Sequence, residues 1–217
     1  MSVRSWVIKQ LKDSGETVQA VGEYGVRVAR VGRPDATSYC VEPDSLPFTV
    51  PMLEEALGDL PEAGMVIVTR RPVDPDVHSR ALELGVCVDT FGGFNRAITF
   101  LDDISDYVHP EESYFRKRMF STRAVVSVSR RGHRAWELQR INGLRSLTVV
   151  THDRYELTDE GFSGILGQYP ILDIDALVIT NPSAQGFGKR VVTSAREANV
   201  PLYRLDDFAS KIRDRWT

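Results

Sequence analysis

The sequence predicts an α/β protein built from two tandem copies of one small fold, each a mixed central sheet flanked by helices. Three observations carry this prediction. First, short segments of the two halves match in order. Ala56-Leu57-Gly58-Asp59-Leu60-Pro61 answers Ile165-Leu166-Gly167-Gln168-Tyr169-Pro170 at an offset of 109 residues, and at that offset Asp44 meets Asp153 and Thr49 meets Thr158. Ile67-Val68-Thr69 then answers Val178-Ile179-Thr180 at 111, and Ala81 to Val86 answers Ala195 to Val200 at 114. Loop insertions produce such a drift. Second, a period near 110 residues is too long for a solenoid repeat and is the size of one small domain. Third, both halves present the same succession of helix-type and strand-type patterns.

In the first copy, Val3, Trp6, Val7 and Leu11 have helical spacing over 2–14, and Gly15 supplies a stop. Residues 17–31 alternate apolar and polar around Glu23-Tyr24-Gly25, as a hairpin does. Thr37–Val41 is a third strand. Val50–Leu60 is an amphipathic helix with Met52, Leu53, Ala56, Leu57 and Leu60 on one face. Met65–Thr69 is a continuous apolar run, expected of a parallel strand buried on both sides. A helix over Asp74–Leu84 and a strand over Val86–Asp89 complete the copy.

The second copy repeats this order. A connection over Phe94–Pro110 leads to a helix over Glu111–Phe120. Strands follow at Ala124–Val128, Arg134–Leu138 and Leu147–Val150. A helix over Asp159–Leu166, a buried strand over Ala176–Thr180, a helix over Gly188–Ala198, a strand over Pro201–Arg204 and a helix over Asp206–Arg215 end the chain. The expected domains are 1–100 and 101–217.

Composition narrows the class. With 42% hydrophobic and 26% charged residues, the chain reads as a soluble globular protein. It has no apolar run of membrane-spanning length and no signal-peptide core, so a cytoplasmic protein without membrane association is expected. Cys40 and Cys87 lie inside apolar runs and read as reduced core thiols. The four histidines, His78, His109, His133 and His152, lack ligand spacing, and no metal or other cofactor is expected. The net charge of −3 hides a segregation: residues 114–145 hold nine basic residues and one acid, +8, against −11 in the remainder. That asymmetry points to a polyanion partner, against the alternative of a solvated surface balanced by acidic neighbours.

A helix, a three-strand meander, then helix, buried strand, helix and strand resembles the restriction-endonuclease-like fold. The pattern is similar to the Mrr-type members of the PD-(D/E)xK nuclease superfamily. Gly25-Val26-Arg27-Val28 takes the place of the Asp-bearing strand, and Tyr39-Cys40-Val41-Glu42 that of the strand bearing the Lys. Val66 to Thr69, Ala81 to Val86 and Val88-Asp89 match the rest. The resemblance implies two restriction-endonuclease-like domains paired as a pseudo-dimer, a surface that grips nucleic acid, and a role in prokaryotic defence or DNA transactions.

The departures from that pattern imply loss of cleavage. Such nucleases use acids to hold a divalent cation and a Lys to activate water. Arg27 stands at the place of the metal-binding Asp in the first copy, and Gly132-His133-Arg134 puts Arg134 there in the second. Neither copy has (Glu/Gln)-x-Lys, and Leu147 to Val150 is uncharged. Asp35, Glu42 and Asp44 imitate the signature, without the Lys, and are the residues of an alternative magnesium-dependent nuclease. A glycine-rich turn with Gly186, Gly188, Lys189 and Arg190 precedes a helix and could receive phosphate, against a plain capped loop; it lacks P-loop and dinucleotide-fingerprint spacing.

The expected function is therefore a catalytically inactive nuclease-fold protein that binds nucleic acid, DNA before RNA. The binding residues expected are Arg116, Lys117, Arg118, Arg123, Arg130, Arg131, His133, Arg134, Arg140 and Arg145. Tyr114, Phe115, Phe120 and Trp136 lie near them and are candidates for base stacking or core packing. The alternative from another class is a protein–protein scaffold or regulatory subunit whose acidic first copy docks a partner.

Overall fold

The computed structural model describes residues 1–216. The chain divides into two compact units, 1–108 and 109–217. The first runs α1 (Val3–Asp13), β1 (Thr17–Val21), β2 (Gly25–Ala29), β3 (Ala36–Val41), α2 (Val50–Asp59), β4 (Met65–Val68), α3 (Val77–Glu83), β5 (Cys87–Asp89) and α4 (Phe91–Phe100), then a 3-10 turn at Ile104–Asp106. The second runs α5 (Pro110–Ser121), β6 (Val125–Arg130), β7 (Ala135–Arg140), β8 (Leu147–His152), α6 (Asp159–Gly167), β9 (Ala176–Ile179), α7 (Lys189–Glu197), β10 (Leu202–Arg204) and α8 (Leu205–Lys211).

Each unit has a five-stranded mixed sheet with the same connectivity. The orders are β1-β2-β3-β4-β5 and β10-β9-β8-β7-β6. In both, the first three strands form an antiparallel meander and the last two are added in parallel through a helix. The registers coincide as well. Ser38 faces Met65 and Val149 faces Ala176, both members displaced by 111 residues. Val66 faces Val88 and Leu177 faces Leu202, the second member displaced by 114. These are the offsets of the sequence repeat.

Alternation along the strands sends side chains to two faces, and helices cover both. In the first unit, Val7 and Leu11 of α1 and Phe94 and Ala97 of α4 bury Val26, Val28, Cys40, Met65 and Ile67. Leu53 of α2 and Val77 and Ala81 of α3 bury Val41, Val66, Val68 and Val88 on the other face. In the second unit, Phe115 and Met119 of α5, Phe208 of α8 and Ile212 at its C-cap cover Trp136, Leu138, Val149 and Val178. Phe162, Val191 and Ala195 of α6 and α7 cover Leu177 and Ile179. Cys40 and Cys87 are buried free thiols. No helix among the described residues is long and apolar enough to cross a membrane.

The copies also end their helices alike. The chain turns left-handed at Gly15 (φ +87°) after α1 and at Arg123 (φ +55°) after α5; it does so at Gly85 (φ +69°) after α3 and at Asn199 (φ +53°) after α7. Gly and Asn are the residues that adopt this conformation at low cost after a helix; Arg is not.

The structure corrects three readings. The segment over Phe94–Pro110 is not a plain connection: α4 and the 3-10 turn lie there and close the first unit. Gly92-Gly93 weakens the helical signal, but Gly93 is required, because a Cβ there would come within 2.6 Å of Asp89 and 2.9 Å of Tyr107. The last helix begins at Leu205 and stops at Lys211, short of the Asp206–Arg215 span. In the register, Arg27 faces Thr37 and Glu137 faces Thr148. The counterpart of Arg27 is thus Glu137, and Arg134 lies one residue before β7, because the repeat is displaced by 110 there rather than 107.

Candidate nucleic-acid interface

The predicted basic residues separate into three groups. The first is an internal ion-pair network at the N-terminus of α5, where Glu111 and Glu112 enter from just outside the segment counted as basic. Glu112 is buried and holds Arg116 at 2.7 Å and Arg130 at 3.9 Å. Arg134 pairs with Glu111 and, at 2.8 Å, with Asp153 at the end of β8. Thr180, at the end of β9, donates to Glu111 at 2.7 Å. The Tyr169 hydroxyl accepts the Arg134 N–H at 3.0 Å. Burial pushes the Asp153 carboxyl up, but the hydrogen bond and charge of Arg134 outweigh it and hold the group below its usual range. His133 lies in the same corner, its ring 6.2 Å from that of His109, which caps α5 by accepting the Glu111 N–H at 3.2 Å.

The second group holds the fold together. Arg140 is 4% exposed and donates to the main-chain oxygens of Arg145, Ile212 and Asp214 at 2.8–2.9 Å. It thereby satisfies the carbonyl of Ile212, the C-cap of α8, and that of Asp214 just beyond it. Arg145 pairs with Asp175 at 2.7 Å, and Arg131 with Glu137 at 3.6 Å.

The third group remains on the surface, at the C-terminal end of α5. Lys117 and Arg123 are exposed and have no ion-pair partner among the described residues. Arg118 pairs with Asp206 at 2.9 Å across a solvent-exposed gap. Arg213 joins them by donating to the Thr122 main-chain oxygen at 2.9 Å, one residue from Arg123. Tyr114 and Phe120, about half exposed, lie on the same helix. Phe115 and Trp136 are core residues: their rings pack at 5.8 Å, and the indole N–H of Trp136 donates to Thr151 at 3.1 Å.

Sequence reasoning missed Arg213, since it lies outside 114–145. The signal was present in Phe208 and Ile212, whose spacing turns α8 onto the sheet beside α5.

The other candidates do not converge. Asp35 and Glu42 flank β3, and at ~3.3 Å per residue they stand about 23 Å apart. Glu42 accepts the Val3 N–H at 2.9 Å, and Asp44 the Leu46 N–H at 2.9 Å. Glu137 is ion-paired and faces Thr148. No group of three or more His, Cys, Asp or Glu residues converges among the described residues, so these acids do not fit the divalent cation that a nuclease of this type implies. The glycine-rich turn borders an open cleft of about 700 Å³ at the start of α7, where Glu156, Asp159 and Glu160 stand with Lys189 and Arg190. Gly186 is left-handed at φ +108° and Gly188 is the N-cap residue without a side-chain cap. With three acids against two bases the cleft is net negative, which opposes a phosphate.

No protein-family model, characterised protein or solved structure matches the chain.

Proposed function

We propose that the protein is a non-catalytic nucleic-acid-binding protein, DNA before RNA, that grips the phosphate backbone with the C-terminal end of α5. One observation carries this reading: the charge is divided between the units. Residues 1–108 have 10 basic and 17 acidic side chains, −7, while residues 109–217 have 17 basic and 13 acidic, +4. Within the positive unit, Lys117 and Arg118 lie on the C-terminal half of α5, Arg123 follows its end, and Arg213 reaches Thr122 beside it; Lys117, Arg123 and Arg213 are exposed. Lys117, Arg123 and Arg213 meet phosphate oxygens without displacing an ion pair, and Arg118 does so by exchanging the exposed Asp206. The meander followed by two parallel strands supports the restriction-endonuclease-like relationship proposed for both units, and the scattered acids support loss of hydrolysis.

The test is reversal of Lys117, Arg123 and Arg213 to Glu together. All three are solvent-exposed, so the circular dichroism spectrum should be unchanged while DNA affinity at low salt falls by at least about tenfold, since each lost phosphate contact removes counterion release. Unchanged affinity contradicts the proposal. A second reading, a protein-docking scaffold, is favoured by the ion pairing of Arg116, Arg118, Arg130, Arg131, Arg134 and Arg145, which leaves little of the expected positive face.

A further inference from the structure

The two copies differ at the N-terminal ends of their parallel strands. In the first unit this end is covered by the unit's own chain. Ile104 lies over Gly64, where a Cβ would meet it at 2.9 Å, and the Tyr107 main-chain oxygen sits 3.5 Å from the Cys87 thiol. The register makes Asp175 the counterpart of Gly64, each being the residue before its parallel strand. Asp175 is fixed there by the Thr148 N–H at 2.8 Å and by Arg145. Its side chain stands where Gly64 leaves room for Ile104. The second unit has an open depression of about 800 Å³ at this place. Ligand sites are of that size.

The walls of this depression are chemically specific. Tyr203 and Trp216 line it with rings 5.7 Å apart, both partly exposed. Trp216 is positioned from both ends: its indole N–H donates to the Lys211 oxygen at 3.1 Å, and its main-chain oxygen accepts from Arg145 at 3.1 Å. Of the charged side chains lining the depression, Arg145 is matched by Asp175 and Lys211 by Asp214. Arg215 and Asp173 have no ion-pair partner among the described residues.

We infer that this depression binds a single nucleotide unit, its base against Tyr203 and Trp216, its phosphate at Arg215, and its amino-bearing base edge at Asp173. Aromatic side chains accept any base face, a guanidinium suits phosphate, and a carboxylate accepts from an exocyclic amine. The unit is either a free mononucleotide or the end of a single strand. The inference rests on the nucleic-acid reading above and gives it a second contact point, separate from Lys117, Arg123 and Arg213.

Tryptophan emission tests it. Trp136 is buried and Trp6 packs on Phe91 in the first unit, so quenching by ligand reports on Trp216. The full chain is titrated with AMP, GMP, UMP, inorganic phosphate and a 5′-phosphorylated single strand of about 12 nucleotides, a length chosen from single-strand site sizes. Saturable quenching by AMP or GMP is expected, weaker with UMP, absent with inorganic phosphate, and shifted at least about tenfold to higher concentration by the exposed-site variant Arg215→Glu. Quenching by mononucleotides alone assigns a free nucleotide, and by the strand as well, a strand end. No quenching by any nucleotide, or the same response to phosphate alone, overturns the inference. Where the strand still binds without quenching and loses affinity on reversal of Lys117, Arg123 and Arg213, the binding function stands and only the subsite is wrong.

Discussion

Arg140 donates to the main-chain oxygen of Ile212 at 2.9 Å, and its counterpart Arg30 reaches the oxygen of Ile98, the counterpart of Ile212, at 3.4 Å. The displacements are 110 and 114 residues, those of the strands and helices that carry them. Arg30 also donates to Leu101 and Asp102 oxygens at 2.6 Å. Both copies thus end their last helix against one arginine from the meander. An arginine counted from the sequence as a candidate phosphate ligand is, in the folded chain, a helix-capping group.

Replacing Arg140 should therefore cost stability. Arg140→Met leaves three main-chain oxygens without their charged donor, and hydrogen bonds to charged groups contribute about 1.5–3 kcal/mol each before relaxation. A loss of about 2–4 kcal/mol in urea unfolding is expected once water re-solvates part of the site. A change below about 0.5 kcal/mol, the range of ordinary surface substitutions, would show that the capping role is wrong.

Arg123 predicts the opposite sign. It occupies a left-handed position where the first copy has Gly15. Arg123→Gly relieves a strain of about 1–2 kcal/mol and loses part of it to chain entropy, for a net gain of about 0.5–1 kcal/mol. The same variant should bind DNA more weakly, since it removes an exposed cation. Calorimetry and a binding titration on one protein preparation check both. Parallel loss of stability and binding would show that Arg123 acts in folding rather than at the interface.

Acid should weaken the second unit through Asp153. Its carboxyl is held below the usual value by Arg134, after the opposing effect of burial. The folded group therefore binds its proton less readily than the unfolded group, whose pKa is about 3.9. The stabilisation is fully present above that pH and is lost as pH falls through the lower folded value. Asp153→Asn should unfold at a pH-independent midpoint difference from wild type above about pH 5, with the difference shrinking below about pH 4. A gap that widens on acidification contradicts the Arg134–Asp153 pairing.

Much of the fold was legible. The apolar runs Met65–Val68 and Ala176–Ile179 read as buried strands and are buried strands, and the repeat paired them correctly. The candidate site was less so, for two physical reasons. Charge counted along a segment ignores acids that return in space. Glu111 and Glu112 precede the basic run by one turn of helix, and Asp153 reaches Arg134 only through the pairing of β7 with β8. The turns between β1 and β2 and between β6 and β7 coincide in register, so Gly132 answers Gly22 in the turn rather than Gly25 in the strand, and matching Arg134 to Arg27 slipped by three residues and hid Glu137. α4 was obscured because the close approach of Asp89 and Tyr107 demands Gly93, a residue that reads as a helix breaker.

The central claim is backbone binding by Lys117, Arg118, Arg123 and Arg213, and the salt dependence of duplex binding tests it most directly. Four phosphate contacts give a log-log slope of about −3.6, so affinity should fall by about two decades over a fourfold rise in salt, with no cleavage when magnesium is present. The slope should lose about 0.9 for each of these cations removed. Binding that is absent at low salt, or a slope near zero, contradicts the account and leaves the protein-docking scaffold as the reading of this surface.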